Sequence, residues 1–319
     1  MNKLKKTGII IIIIITGIIL SKLFIFSETR NTDEIKVNKK TYSTPQPVVQ
    51  PEIPEEIYFC GERVPLEFFD VREALDNELV VNMYRHSSTI MYLKRANRYF
   101  PEIEKLLAEH NIHDDMKYLC LAESGLLHVV SPSGAEGFWQ FLERTGKEYG
   151  LEINANVDER YNHTFSLVAA TQYLHKAYER FGTWSLAAAG YNMGMTGLQR
   201  QINRQNVNSY WDLHLNPETA RYVYRIIALK IILSNPEKYG FNIPDEYLYN
   251  DLKTNEIIVD TTINDLIDFA FAHGTNYKML RHFNPWIRGY SLPNRSGKEY
   301  IIRIPSEGVR DFKMPEENN

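Results

Sequence analysis

Apolar residues recur every three or four places along most of this chain, the spacing of helices that bury one face. Val71, Leu75, Leu79 and Met83 predict an amphipathic helix over Asp70 to Tyr84. Ser87 or Ser88 is placed to cap a second helix running to Arg98, and Pro101 to open a third, EIEKLLAEHNI, at the first helical position where proline is tolerated. Met116, Leu119 and Cys120 stand at i, i+3 and i+4 of a short helix, with Asp114 as its N-cap and Gly125 as its stop. A glycine-rich loop, Ser131 to Gly137, leads into FWQFLERTGKEYG, read as a helix ending near Gly150. Further helices are predicted over Thr164 to Arg180 and Trp184 to Tyr191. A long one is capped by Asn216-Pro217-Glu218 and stops before Pro236. No alternating strand pattern stands out between 84 and 240, so this region reads as all-α. The tail differs: Ile257 to Val259 and Tyr300 to Ile304 are strand-like, and two short helical patterns, TINDLIDFAFAHG and NYKMLRHFN, lie between them.

The two ends set the domain organisation. Lys3, Lys5 and Lys6 precede 15 uncharged, isoleucine-rich residues from Thr7 to Ser21, and Leu23 to Phe26 extend the run beyond Lys22. Residues 1–26 therefore read as an uncleaved signal anchor, with a cleaved signal peptide as the alternative. Either way the body is exported, with the lysines holding the N-terminus in the cytoplasm. Residues 27–57 carry four prolines between Pro45 and Pro54 and read as a linker. The expected organisation is then a helical domain over 58–247, a small module over 253–306 and a tail over 307–319. The fold class is mainly α, an all-α domain followed by a small α+β strand-helix-helix-strand module.

Composition narrows the function. A net charge of −4 and a pI near 6.2 lack the basic signature of a nucleic-acid binder. The 20 tyrosines suit a sugar or peptide surface and serve equally as core. Cys60 and Cys120 are far apart in sequence, and Cys120 lies on an apolar helix face, so two unpaired, inert thiols are expected. His110 and His113 lack a third ligand and the HExxH pattern, so no metal is expected. The glycines at 190, 194 and 197 do not follow dinucleotide spacing, and no cofactor is implied.

The helix at 116–124 poses the chemical question. Its buried stripe continues at i+7 onto Glu123, where an apolar residue is due. Burial disfavours the charged form, and the negative end of the helix dipole pushes the same way. A glutamate lifted from ~4.3 to ~6–7 keeps a proton at neutral pH, as a general acid requires. A partly exposed glutamate at a frayed helix end, or one paired with an arginine, is the bland alternative.

The motifs C-terminal to this helix decide between the two. Glu123-Ser124 precedes Ser133-Gly134-Ala135-Glu136-Gly137-Phe138-Trp139-Gln140, then Ala189-Gly190-Tyr191-Asn192-Met193-Gly194, then Glu218-Thr219-Ala220-Arg221-Tyr222-Val223. This ordered set resembles the family 1 lytic transglycosylases, especially the membrane-bound murein transglycosylase D type. Their pattern is E-S, S-x-x-G-A-x-G-L-x-Q, A-Y-N-x-G and E-T-x-x-Y-V. The resemblance covers about residues 84 to 241. It implies a lysozyme-like fold and cleavage of the β-1,4 bond between N-acetylmuramic acid and N-acetylglucosamine in peptidoglycan. Glu123 matches the family's catalytic acid. It would protonate the glycosidic oxygen, then take a proton from the sugar's own 6-hydroxyl, which closes onto C1 as a 1,6-anhydro product. No second carboxylate stands out as an obligatory partner.

The resemblance also implies a substrate set. Gly134 and Gly137 would let backbone approach the sugar, and Ser131, Ser133 and Gln140 would bond its polar groups. Tyr191, beside Asn192, would bond Glu123 or the substrate, and Glu218 and Tyr222 would line the groove. For the serines a turn or cap is equally open, for Glu218 a helix start, and for Tyr191 and Tyr222 the core. Three features depart from the pattern: Gly190 before the tyrosine, the bulk of Trp139 and Phe141, and the extra charge of Glu136, read as solvated. The tail resembles a degenerate LysM module, with Asn284-Pro285 at the end of its second helix. The expected partners are peptidoglycan glycan strands and, through the N-terminus, a membrane; nothing indicates an oligomeric state. The rival readings are a hydrolytic muramidase and a non-catalytic peptidoglycan-binding scaffold.

Overall fold

The computed structural model describes residues 48–310, so the expected anchor at 1–26, most of the expected linker and the end of the tail lie outside the described residues. Among the described residues no helix is long and apolar enough to cross a membrane.

A two-residue hairpin, β1 (Tyr58–Phe59) and β2 (Glu62–Arg63), enters the helical body. Helices α1 (Phe69–Tyr84), α2 (His86–Glu109), α3 (Met116–Ser124), α4 (Glu143–Glu148), α5 (His163–Phe181), α6 (Trp184–Met193), α7 (Met195–Gln205) and α8 (Pro217–Ser234) follow. The C-terminal module is β3 (Thr254–Val259), α9 (Leu266–Ala272), α10 (Tyr277–Phe283) and β4 (Tyr300–Pro305), the strands pairing antiparallel with Ile257 opposite Ile302. The described residues from Gln50 onward form one unit.

Helix α3 runs through the centre, with Met116, Leu119, Cys120 and Leu121 fully buried. It packs on α8, whose Val223, Ile226, Ile227 and Ile232 are also fully buried. The hairpin pins the ends of these helices that lie away from Glu123. The Asp115 carboxylate, buried just before α3, accepts from the Cys60 N–H (2.7 Å) and from Lys230 Nζ of α8 (2.8 Å). The Glu62 carboxylate accepts from the Trp184 N–H (2.5 Å) and the Ser185 N–H (3.1 Å), closing the first turn of α6 with a negative charge where the helix dipole is positive.

Several expectations are corrected. The two helices expected on either side of Pro101 are one, α2, and neither Ser87 nor Ser88 caps it. Pro101 and Asn97 both face solvent, so the backbone bond that proline deletes lies on the wet side. The buried stripe of Ala96, Phe100, Ile103 and Leu107 continues unbroken across it. Asp114 does not cap α3; its carboxylate pairs with Lys117 Nζ at 2.5 Å. Gly125 does end α3, in the left-handed region at φ 61°.

Of the helix expected over 138–150 only α4 forms. Phe138, Trp139 and Phe141 all point into the core, and three rings in four residues do not fit one helical stripe. Residues 50–57, expected as the end of the linker, are not a free tether. Ile53 and Ile57 pack on the core, and Tyr239 Oη donates to the Glu52 carbonyl at 2.8 Å. Helix α7, with Leu198 and Ile202 inward, escaped the periodicity reading, as did the hairpin. Both cysteines are free and buried.

Asp115 joins the hairpin, α3 and α8 through one carboxylate. Its replacement leaves the Lys230 ammonium and the Cys60 amide without their acceptor. Asp115→Ala is expected to lower the unfolding free energy by roughly 2–4 kcal/mol, read by urea denaturation at pH 7. An unchanged midpoint contradicts this account.

Candidate active site

Glu123 lies in the last turn of α3, half-buried, at the base of a cleft of about 330 Å³. Helix α3 delivers it, the 130–142 loop forms one wall, and the C-terminal end of α6 and the start of α8 form the other. Tyr222, fully buried one turn into α8, donates its hydroxyl to Glu123 Oε1. Burial pushes the Glu123 pKa up to about 7. The Tyr222 hydroxyl and the Arg225 guanidinium, which favour the carboxylate, work against that rise, and the negative Glu218 adds to it. Burial and the nearby Glu123 in turn hold the Tyr222 phenol well above its ordinary value, so it stays a donor. One carboxyl oxygen is thereby held as an acceptor.

Glu123, Ser131, Ser133, Gln140, Tyr191, Asn192 and Glu218 all line this cleft. Three of the expected site residues do not. Tyr222 sits behind Glu123, as its hydrogen-bond partner rather than as a wall. Gly134 (φ 81°) turns the loop at its exposed tip. Gly137 is buried, and a Cβ there would come within 2.0 Å of the Arg160 carbonyl oxygen. Its φ of 82° and lack of a side chain serve a close backbone crossing.

The loop carries its own scaffold. Ser131 Oγ accepts from the Ala135 N–H (2.9 Å) and lies 3.0 Å from Ser133 Oγ. Gln140, itself at φ 51°, donates from Nε2 to the carbonyls of Val129 (3.0 Å) and Gly137 (2.8 Å). Those bonds replace the helical ones that the sequence pattern suggested. Glu136 is not solvated; it is half-buried and pairs with Arg160 at 3.0 Å.

Tyr191 does not reach Glu123 with its hydroxyl, which donates to the Trp139 carbonyl at 2.7 Å and ties α6 to the loop. Asn192 Oδ1 accepts from Thr219 Oγ1 at 2.7 Å, and its Nδ2 lies 3.5 Å from Glu218 Oε1, so α6 and α8 meet at the cleft. The reading from sequence missed Thr145, Tyr173 and Met193 on the wall. It also missed Arg225, three residues after Tyr222. The i+3 spacing from Tyr222 was a usable signal for it.

His113 gathers with Cys60 and Asp115, with possible ligand atoms within 4.8 Å of one another. Lys230 already occupies the Asp115 oxygen, and burial and Asp115 push the Cys60 thiol far up. The cluster is the hairpin anchor rather than a cation site.

Residues 103–213 match the transglycosylase SLT domain, and residues 255–308 match the soluble lytic transglycosylase C-terminal LysM-like domain. The chain is 29% identical over 238 residues to the membrane-bound lytic murein transglycosylase D of Escherichia coli strain K12, and equally so to that of Escherichia coli O6:H1 strain CFT073. The aligned part is 73% of this chain and 51% of either relative, so the chain spans about half the length of the curated relatives it matches. The protein carries a transglycosylase SLT domain followed by a LysM-like C-terminal domain.

Proposed function

We propose that this protein is a peptidoglycan lytic transglycosylase. It cleaves the β-1,4 bond between N-acetylmuramic acid and N-acetylglucosamine without water, leaving 1,6-anhydro ends. The observation that carries this reading is the carboxyl of Glu123, half-buried at the base of a polar cleft with the Tyr222 hydroxyl donating to it, where burial pushes its pKa up to about 7. At neutral pH such a group is present partly as the acid. It gives its proton to the glycosidic oxygen as the C1–O bond breaks through an oxocarbenium-like state. The carboxylate that remains takes the proton of the 6-hydroxyl while O6 bonds to C1, so the acid is regenerated and water is not consumed. Tyr222, by donating to Oε1, stabilises Glu123 in its carboxylate phase and orients the other oxygen in its acid phase.

In this reading Ser131, Ser133, Gln140, Tyr191, Asn192 and Glu218 contact the glycan, with Gly134 and Gly137 shaping the loop that carries the first three. The proposed organisation is an anchor over 1–26, a linker from 27, the helical catalytic domain to 247 and the LysM-like module over 253–306. The relatives are called membrane-bound. That name and the lysine-flanked isoleucine run support a cell-envelope location, with the catalytic domain outside the cytoplasm.

One observation favours a second reading. Glu218 faces the same cleft, and a second carboxylate there could activate a water and give hydrolysis. Mass analysis of digested sacculi separates the two: anhydro ends support transglycosylation and reducing ends a muramidase. Release of no muropeptides at all leaves only a binding scaffold.

Glu123→Gln is expected to lower kcat by roughly 10²–10⁴ while leaving the helical circular dichroism intact. The folded pKa of about 7 lies above the ordinary 4.5, so the folded protein holds this proton more tightly than the unfolded chain. The carboxyl therefore costs stability increasingly as pH rises between those values. Relative to wild type, Glu123→Gln should gain stability over that window, by up to roughly 3 kcal/mol; a gain that does not grow with pH contradicts the burial.

Activity of the wild type should fall above about pH 7 as the acid form is lost. Tyr222→Phe removes a group that lowers the Glu123 pKa and should move that alkaline limb up. Glu218→Gln removes one that raises it and should move the limb down. Limbs that shift the same way, measured on a soluble muropeptide oligomer, would remove Glu123 as the titrating group.

A further inference from the structure

The LysM-like module is built into the catalytic domain rather than hung from it. Its core of Val259, Leu266, Leu280, Trp286, Ile287 and Ile302 is completed by Val157 and Tyr161, which belong to the segment between α4 and α5. The two chains also pair at the backbone. The Asp158 N–H donates to the Trp286 carbonyl and the Arg288 N–H to the Asn156 carbonyl, both at 2.8 Å, across a bridge between Val157 and Ile287. Ion pairs flank this seam. Lys298 Nζ reaches Glu152 (2.6 Å) and Glu159 (2.8 Å), Tyr300 Oη lies 3.1 Å from Glu152, and the Arg288 guanidinium lies over the Tyr161 ring at 4.9 Å. A second seam joins Arg303 to Glu102 (3.1 Å) and to His163 Nε2 (2.8 Å).

The same segment faces the cleft loop on its other side. Arg160 is 5% exposed, too enclosed for its charge to stand alone. Its Nε and one terminal nitrogen form a bidentate pair with Asp158 (2.9 and 2.7 Å), and that terminal nitrogen also meets Glu136 at 3.0 Å. The other terminal nitrogen lies 3.4 Å from the Gly134 carbonyl and 3.3 Å from that of Phe141. These three contacts fall at the tip, the middle and the end of the loop that presents Ser131, Ser133 and Gln140. Gly137 crosses the Arg160 backbone so closely that no side chain fits between them.

We infer that the LysM-like module holds the substrate loop in place through the 152–161 segment, with Arg160 as the positioning residue. The module thus supports sugar binding in the catalytic cleft, apart from any glycan it contacts itself. This rests on the proposed function for the identity of the ligand. The mechanical part, from module to segment to loop, rests on the contacts alone.

The test uses the full chain and two variants. Lys298→Glu sets like charges against Glu152 and Glu159 at the surface of the seam. Arg160→Lys keeps the charge but loses the planar fork that reaches Asp158, Glu136 and the two carbonyls together. Backbone amide exchange over 129–141 is expected to quicken in both. KM for a soluble tetrasaccharide is expected to rise roughly tenfold for Arg160→Lys and less for Lys298→Glu, with kcat changed little. Both are measured well below the melting temperature, so a merely looser fold does not move KM. Wild-type exchange over 129–141 in both variants overturns the coupling, whether or not the protein cleaves glycan. So does a Lys298→Glu defect confined to intact sacculi, which would make the module a glycan anchor only. A wild type that exchanges as expected but cleaves nothing removes the proposed function and leaves the coupling standing.

Discussion

The structure depends on a carboxyl group that is neither in water nor fully paired. Glu123 takes the last place on the buried stripe of α3, where the core has begun to open into the cleft. Burial raises its pKa, and the fold supplies one strong counterweight, the hydroxyl of Tyr222. A full ion pair at this point would hold the group ionised; no partner at all would leave a buried acceptor unsatisfied. A neutral donor gives the intermediate result, a group that changes charge state near neutral pH.

Keeping that balance requires the surrounding helices to stay in register, and much of the chain serves this end. The hairpin ties α3 and α8 together through Asp115 and closes the first turn of α6 through Glu62. These contacts lie at the ends of the helices away from the cleft, so the ends that carry Glu123, Tyr191, Asn192 and Tyr222 face the cleft as parts of one rigid group. The loop wall is held by the burial of Phe138, Trp139 and Phe141 and by side-chain hydrogen bonds from Tyr191, Gln140 and Arg160, the last of which belongs to a segment shared with the C-terminal module. Both halves of the wall therefore rest on packing, and the loop adds a polar network to it.

Helices with a clear buried stripe were legible from sequence. The i, i+3, i+4 spacing located α1, α3, α5 and α8, and Asn216-Pro217 marked the start of α8, because capping and periodicity are local properties of the chain. Where local signals compete, the reading failed. Pro101 reads as a helix start, but the apolar face on both sides of it is continuous and the lost bond is wet. The run from Phe138 reads as a helix, yet its aromatic rings are recruited by a core assembled from remote segments. Of the candidate residues, Glu123, Ser131, Ser133, Gln140, Tyr191, Asn192 and Glu218 are brought to one cleft. The partners of the two tyrosines were not legible: the hydroxyl of Tyr191 turns to a loop carbonyl, and that of Tyr222 meets the carboxyl.

The sequence by itself determined that a glutamate would end a buried helix stripe, and that a strand-helix-helix-strand module would close the chain. Those are consequences of periods of 3.6 and 2 and of the turn residues between them. Only the tertiary structure decided which hydroxyl bonds that glutamate, that Glu136 is paired rather than solvated, and that Val157 and Tyr161 belong to the core of a module about 100 residues further on. Each of these is a contact between segments remote in sequence. A hydrogen bond between α3 and α8 spans 99 residues, and nothing in the local pattern at either end specifies the other.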